Sequence, residues 1–430
     1  MTYAPRTLAG LLLLAGSPVH ADTTPLADWS LLARNYLLDN EFRSTSPSGQ
    51  AYRREWAQGF IANLESALTP GTLGLGVDLH AFLGLKLDGG RGHAGTGLLP
   101  LDSDGASERE YASAGGALKL SFADTLLRVG EMTVETPVLD TADKRLQPEY
   151  ATGWFLDSQA LEALRLQAGR FTAFRNQAAS SGHDDFDGYG ASTRHGGISL
   201  AGARWAPAGS PLGGALYASQ LDDTWRQAYA NLNGRLGDLA LDANLYRTRD
   251  TGERRAGRID TLAYSLLGRL ALGSHALSLA YQKVEGDTPF DFVGGDSIYL
   301  ANSIKYGDFN GPGERSWQAR YQWDASAAGW PGLTLSARYV RGSGIDGSHA
   351  PQGGAYAPFD DASGRFQPQQ SSGGRHWERD LDLRYTLQSG PARDLALSLA
   401  HVTHRANDAQ AGADIDRLYL IVEYPLGGSL

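Results

Sequence analysis

Between Trp317 and Asp324 the chain alternates without a break. Trp317, Ala319, Tyr321 and Trp323 fall on one parity, and Gln318, Arg320, Gln322 and Asp324 on the other. Successive side chains of a β-strand point to opposite faces. A strand here therefore has one aromatic, apolar face and one face of charges and amides. The same dyad pattern occupies 74–83 (GLGVDLHAFL), 239–246 (LALDANLY), 277–282 (LSLAYQ) and 333–339 (LTLSARY). Runs of this kind, separated by turn residues, predict an all-β chain.

The punctuation between the runs is of two kinds. Eight connections are tight turns: LTPGT, FADT, SQALE, APAGSPLG, RLGD, LGSH, SAAGWPG and SGPARD. Nine are longer and rich in Gly, Asp and Ser, near 43–51, 87–108, 134–150, 172–188, 221–226, 249–257, 286–314, 342–375 and 406–413. The two kinds alternate, and seventeen connections join eighteen strands. An even number of strands with short turns on one rim and long loops on the other is the pattern of a transmembrane antiparallel β-barrel, with periplasmic turns and extracellular loops. A sandwich does not segregate its connections in this way, and no blade-length repeat supports a propeller. In a membrane the apolar face meets lipid and the polar face lines the lumen, while closure of the sheet pairs every backbone group. Trp317, Tyr321 and Trp323 are thus expected outside and Arg320 inside. In the last strand, Leu418, Leu420, Val422 and Tyr424 are expected outside, with Arg417, Tyr419 and Glu423 inside.

Residues 1–21 read as a secretory leader: Arg6, then LAGLLLLAG, then the small-residue cleavage site Val19-His20-Ala21. The apolar run is shorter than the roughly 20 residues a helix needs to span a bilayer. Residues 22–430 are expected to form a single barrel domain. The 430 residues include no cysteine, which excludes disulfides and thiolate sites. A net charge of −10 argues against a nucleic-acid partner.

One segment carries a family likeness: YQKVEGDTPFDFVGGDSIYLANSIKYGDFNGPGERSWQARY, residues 281–321. It resembles the OprD-type substrate-specific porins of the Gram-negative outer membrane. LLARNYLLDNEF, FLGLKLDGGRG, GTGLLP, YASAGGALKLSF, GEMTVETPV and the terminal LIVEYPL fit the same family, so that the likeness runs from about residue 28 to the end. It implies an eighteen-stranded channel set in outer-membrane lipid and lipopolysaccharide, each barrel a pore by itself or one member of a weak homotrimer. It implies no cofactor, and a third loop (134–150) folded into the lumen as a constriction. The solutes implied are small molecules with a carboxylate, either amino acids or aromatic acids, and uncharged sugars are expected to pass poorly.

Passage through such a pore has no chemical step. Selection rests on charges at a constriction, which replace the hydration that the solute sheds, and a narrow low-dielectric channel focuses their field. Opposite charges 4 Å apart gain roughly 4 kcal/mol at an effective dielectric near 20. By the resemblance, Arg145 is the arginine of the constriction, Tyr306 and Asp308 match the opposite wall, and Asp296 and Ser297 lie beside a small lateral pocket. An acid facing Arg145 would set up a transverse field, although Asp308 also suits a turn-capping role in its Asn-Gly-Pro-Gly loop. The family lines one wall with a ladder of basic residues, and parity places Arg320, Arg338, Arg384 and Arg417 on the lumen side. Each could hand a carboxylate along through its planar fork, or pair with a luminal acid such as Asp382 or Glu423 for stability alone. The ladder departs from the family pattern. Ser398 and Ala400 stand where the penultimate strand carries two arginines, and Tyr419 replaces the last-strand arginine, with Arg417 one inward position earlier. This weakens a basic-amino-acid assignment, and GRFTAFRNQAASSGHDDFDGYG leans toward aromatic or other monocarboxylates.

Other functions are weighed against this one. A barrel hydrolase would need a nucleophile set, and no G-x-S-x-G elbow is present. SGHDDFD (181–187) could hold a metal ion through one histidine and three aspartates, but a solvated acidic loop accounts for it as well; no metal is expected. A TonB-dependent transporter carries a plug domain, for which the few residues between Ala21 and Trp29 leave no room. A general diffusion porin remains the runner-up, and single-channel conductance distinguishes it.

Overall fold

The computed structural model describes residues 25–44, 49–186 and 196–430. The leader reading falls outside these residues, as does Asp187 of the acidic loop. Eighteen antiparallel strands form one sheet, from Ala27–Phe42 to Ile415–Ser429, and the first pairs with the last from Asp28↔Ser429 to Phe42↔Ile415. The sheet is therefore closed, and the strand count read from the sequence holds. Two further two-stranded pairings lie in loops, Glu135–Thr136 with Leu139–Asp140 and Phe359–Asp360 with Arg365–Phe366. The shortest connection on the long-loop rim is 222–224, between Leu212–Leu221 and Trp225–Leu236.

The parity argument fixes which way each wall residue points. Trp317 and Tyr321 are exposed on the outer surface, as are Leu279, Leu216 and Leu118, whereas Gln318 is buried and donates to the Ala301 carbonyl from inside (3.1 Å). Exposure of large apolar side chains on a closed sheet identifies the surface that lipid covers. No helix among the described residues is long and apolar enough to cross a membrane.

The packed interior lies inside the cylinder. Inward Phe171, Tyr217, Tyr229 and Tyr246 meet Val138 and Leu139 of one loop and Phe290 and Val293 of another. A second cluster gathers Tyr36, Leu38, Phe82, Tyr111 and Tyr419 around Leu98, Leu99 and Leu146. Loops thus fill part of the lumen with apolar side chains and narrow what remains. Replacing Leu279 by Arg puts a charge near the middle of the lipid-facing wall and should lower barrel stability by about 2–4 kcal/mol, read by equilibrium denaturant unfolding in lipid vesicles.

Candidate functional site

The segment between Thr125–Met132 and Tyr150–Leu161 is held against inward-facing wall residues. The Tyr246 hydroxyl donates to the Pro137 carbonyl (2.8 Å), the Tyr36 hydroxyl to that of Lys144 (3.3 Å), and Arg34 Nη1 to that of Arg145 (2.8 Å). Ser113 Oγ donates to the buried Gln147 side chain (2.9 Å). Leu146 rests on Gly59, where a Cβ would come within 3.0 Å of the leucine Cγ, so the bare backbone lets the loop approach the wall.

Loop 286–314 locks this segment from the other side. Ser297, fully buried, accepts a hydrogen bond from the Asp140 amide (2.6 Å), and its hydroxyl donates to the Val293 carbonyl (2.5 Å). Glu149 accepts from the amides of Ala142 and Gly295, each at 2.8 Å, and from the Gln177 side chain at 3.0 Å. The Tyr299 hydroxyl donates to Asp140 Oδ2 (2.6 Å). Burial of Asp140 pushes its carboxyl up to about 7, against the pull of that hydrogen bond, and neighbouring Asp296 and Glu135 push the same way. Burial likewise raises Glu149, opposed by its two amide donors.

These loops and the wall enclose a cavity of about 790 Å³. Its charged lining comprises seven cations, Arg34, Lys144, Arg145, Lys305, Arg320, Arg338 and Arg384, against four carboxylates, Asp143, Asp296, Asp382 and Glu423. A chain of net charge −10 thus surrounds a cavity with a formal excess of three positive charges. Most of the cations are paired. Arg34 binds Asp143 through two nitrogens (2.6 and 2.9 Å) and Glu423 through Nε (2.8 Å). Lys144 pairs with Asp296, Lys305 with Asp382 (3.0 Å), and Arg338 with fully buried Asp380 (2.9 Å). Arg384 comes within 4.0 Å of Glu423. Among the described residues, no carboxylate lies within 4 Å of Arg145 or Arg320. Arg145 Nη1 donates only to the adjacent Lys144 carbonyl (3.0 Å), and Arg320 Nε is buried without a partner. Arg320 stands directly across from Arg338 in the sheet. Like charges so placed repel, and Asp380 is ion-paired with Arg338 but not with Arg320.

The residues singled out from the sequence divide into groups. Arg145, Asp296, Arg320, Arg338 and Arg384 share the cavity. Ser297 is a latch between two loops. Asp308 does not face Arg145. It lines a separate cavity of about 430 Å³ with Glu314, His376 and His404, and accepts from Ser303 Oγ (2.7 Å), while burial raises its carboxyl. Tyr306 borders that second cavity and stacks under the Arg417 guanidinium, 4.7 Å from the ring centre. Arg417 also donates to the Tyr419 hydroxyl (3.0 Å). The acids that share a cavity with Arg145 are those paired with Arg34, Lys144, Lys305 and Arg384. Sequence reasoning missed Arg34, Lys144 and Lys305. Parity with Tyr36 and Leu38 could have turned Arg34 inward, but Lys144 and Lys305 sit in loops, where no periodicity assigns a direction. Among the described residues no metal-ligating cluster forms, and His183 to Asp185 hold none.

Comparison with known proteins gives consistent results. The family described as outer membrane porin, OprD family, matches residues 27–427. Porin D of Pseudomonas aeruginosa is 40% identical over 410 residues, covering 92% of this chain and 90% of the relative. The porin-like protein GalP of Pseudomonas putida is 32% identical over 405 residues, covering 92% and 91%. The structure of Pseudomonas aeruginosa OpdK with vanillate matches with a TM-score of 0.81 and 36% identity, over 94% of this chain and 99% of that one. A BenF-like porin from Pseudomonas fluorescens matches with a TM-score of 0.82 and 31% identity, over 94% and 99%.

Two outcomes follow from the loop latch. Glu149→Ala leaves the buried Ala142 amide and the part-buried Gly295 amide without their acceptor, at a cost of about 1–3 kcal/mol for the buried one, and should give larger and noisier single-channel currents as loop 134–150 loosens. Asp140 holds a proton in the docked loop at pH values where an ordinary carboxyl, near 4, has released it. Docking therefore takes up a proton, is favoured at low pH, and weakens as pH rises toward and through about 7. Current fluctuations should grow between pH 5 and 8 in single-channel recordings, and Asp140→Asn should flatten that dependence.

Proposed function

The chain belongs to the OprD family of outer membrane porins, and from that premise we propose that it selects small monocarboxylates, aromatic ones included. It is a substrate-specific channel of the Gram-negative outer membrane and not an enzyme. The observation that carries the proposal is the pair of arginines left without an acid. Arg145 on the loop and Arg320 on the wall border the same cavity, where the other cations meet carboxylates. A solute carboxylate entering this space completes two guanidinium sites that the protein leaves open. Each fork binds a carboxylate through two parallel hydrogen bonds.

The rest of the cavity suits an apolar body behind that carboxylate. Tyr36, Ile298, Ile304, Tyr419 and Ile421 border it alongside the arginines. An aromatic ring packs on such side chains at little cost, whereas a sugar hydroxyl without a partner there pays for its lost water. The structure of OpdK with vanillate, an aromatic carboxylate, supports extending this reading to aromatic acids. In this scheme Arg145 captures the carboxylate and Arg320 receives it. Arg338, held by Asp380, and Arg384, which shares Glu423 with Arg34, keep this wall rich in guanidinium. Asp296, opposite Lys144, supplies the negative side of the field. Tyr306, Arg417, Ser297 and Asp308 act by positioning the loops and do not touch the solute.

Uptake by liposomes carrying the purified barrel tests the proposal. Benzoate-like acids should enter faster than neutral sugars of similar size, with saturation. Arg145→Ala and Arg320→Ala should each weaken apparent carboxylate affinity about tenfold or more, since a charge-assisted hydrogen bond contributes about 1.5–3 kcal/mol, and leave sugar entry unchanged. Equal entry of sugars and acids would make the channel a general diffusion porin.

A further inference from the structure

A second group of arginines lies outside the barrel and plays no part in the pore. Register places Arg170, Ser199, Gln220, Arg226, Arg249 and Asp260 side by side across six consecutive strands. The parity of these positions is outward, since the neighbouring Trp225, Gln227 and Thr248 are buried inside. Arg226 and Arg249 lie next to the ends of their strands on the long-loop rim, beside the short connection 222–224. This row is therefore on the lipid-facing wall at the height of the outer leaflet.

Its charge is not balanced from within. Arg170 is matched by Asp222 (2.6 Å), and Arg247 and Arg249 share Asp260, the latter at 3.4 Å. Arg226 has no carboxylate within 4 Å among the described residues and faces Arg249 directly across the strands. Opposed like charges destabilise a sheet unless an anion lies between them. One step toward the membrane centre the same strands carry alanines: Ala168, Ala201, Ala218 and Ala228, with Arg247 beside the last. The result is a recess of about 560 Å³ lined by Ala201, Ala218 and Ala228 below and by Arg226, Arg247 and Arg249 at its edge. The rim arginines Arg315 and Arg341 stand over a different surface. Beneath Arg315 and Arg341 the outward positions are Trp317 and Tyr339, and both fill the wall.

We propose that this groove binds one phosphorylated glycolipid of the outer leaflet, a lipopolysaccharide molecule. Its phosphate sits among Arg226, Arg247 and Arg249, and an acyl chain lies along the alanine row. The two halves of the groove fit the two halves of the ligand. Arginine forks bind phosphate oxygens in pairs, and a step of two residues along a strand, about 6.6 Å, separates the headgroup level from the first methylenes. A second copy of this chain would have to bring an acid to the same height, and the outward row itself offers only Asp260, which is already shared.

The test uses the purified barrel in nanodiscs, with diphosphorylated lipid A and its dephosphorylated counterpart as probes and native mass spectrometry as the readout. Inorganic phosphate serves as a third probe. The wild-type barrel should retain the diphosphorylated lipid at least tenfold better than the dephosphorylated one, and free phosphate should not compete at millimolar concentration. R226Q/R249Q should lose that preference while single-channel conductance is unchanged. A218W, which keeps every charge and fills the recess, should lose retention as well. Loss in R226Q/R249Q with no loss in A218W would reduce the groove to diffuse surface charge and overturn the proposal. Equal retention of the two lipids, competition by free phosphate, or a change of oligomeric state in place of lipid loss would overturn it too.

Discussion

Pairing between Ala27–Phe42 and Ile415–Ser429 is the contact on which the rest of the molecule depends. In hydrocarbon, an unpaired backbone amide or carbonyl costs several kcal/mol, and an open sheet would leave two rows of them. Closing the first strand on the last removes both edges. It also fixes an inside and an outside, so a single alternation in sequence becomes a separation between lipid and water. That is why an acidic chain can hold a positive cavity. Only four of its carboxylates border the space around Arg145 and Arg320, against seven cations.

The lumen is a compromise between rigidity and vacancy. Val138, Leu139 and Leu146 pack loop 134–150 into the wall, and Glu149 and Ser297 tie it to a second loop. Buried ion pairs neutralise most of the cations at some cost in desolvation. What remains is a small number of guanidiniums whose hydrogen bonds are incomplete. In a soluble core such groups would be defects. In a pore they are the part of the wall that we propose a passing anion uses.

Much of this was legible in the sequence, for a definite reason. The two-residue period of a strand is local, and it gave Trp317 and Tyr321 to the outside and Arg320 and Arg338 to the inside without reference to any other strand. Connection lengths separated the two rims and fixed the strand count at eighteen. The loops obeyed no such period. Asp308 was expected opposite Arg145, but its turn directs it to Ser303 and into another cavity. Ser297 looked like a lining residue and is a buried latch. Lys144 and Lys305 gave no signal at all.

Sequence alone determined the wall: which residues face lipid, which face water, how many strands there are and which rim carries the loops. Each of these follows from backbone geometry acting over two or three residues. Tertiary structure decided which luminal charges pair with one another and which are left without an ion-pair partner among the described residues. Arg34 meets Asp143 across 109 residues and Glu423 across 389, and no local rule reaches that far. Charge pairing depends on distance in space, and the closed cylinder sets those distances only once every strand is in register.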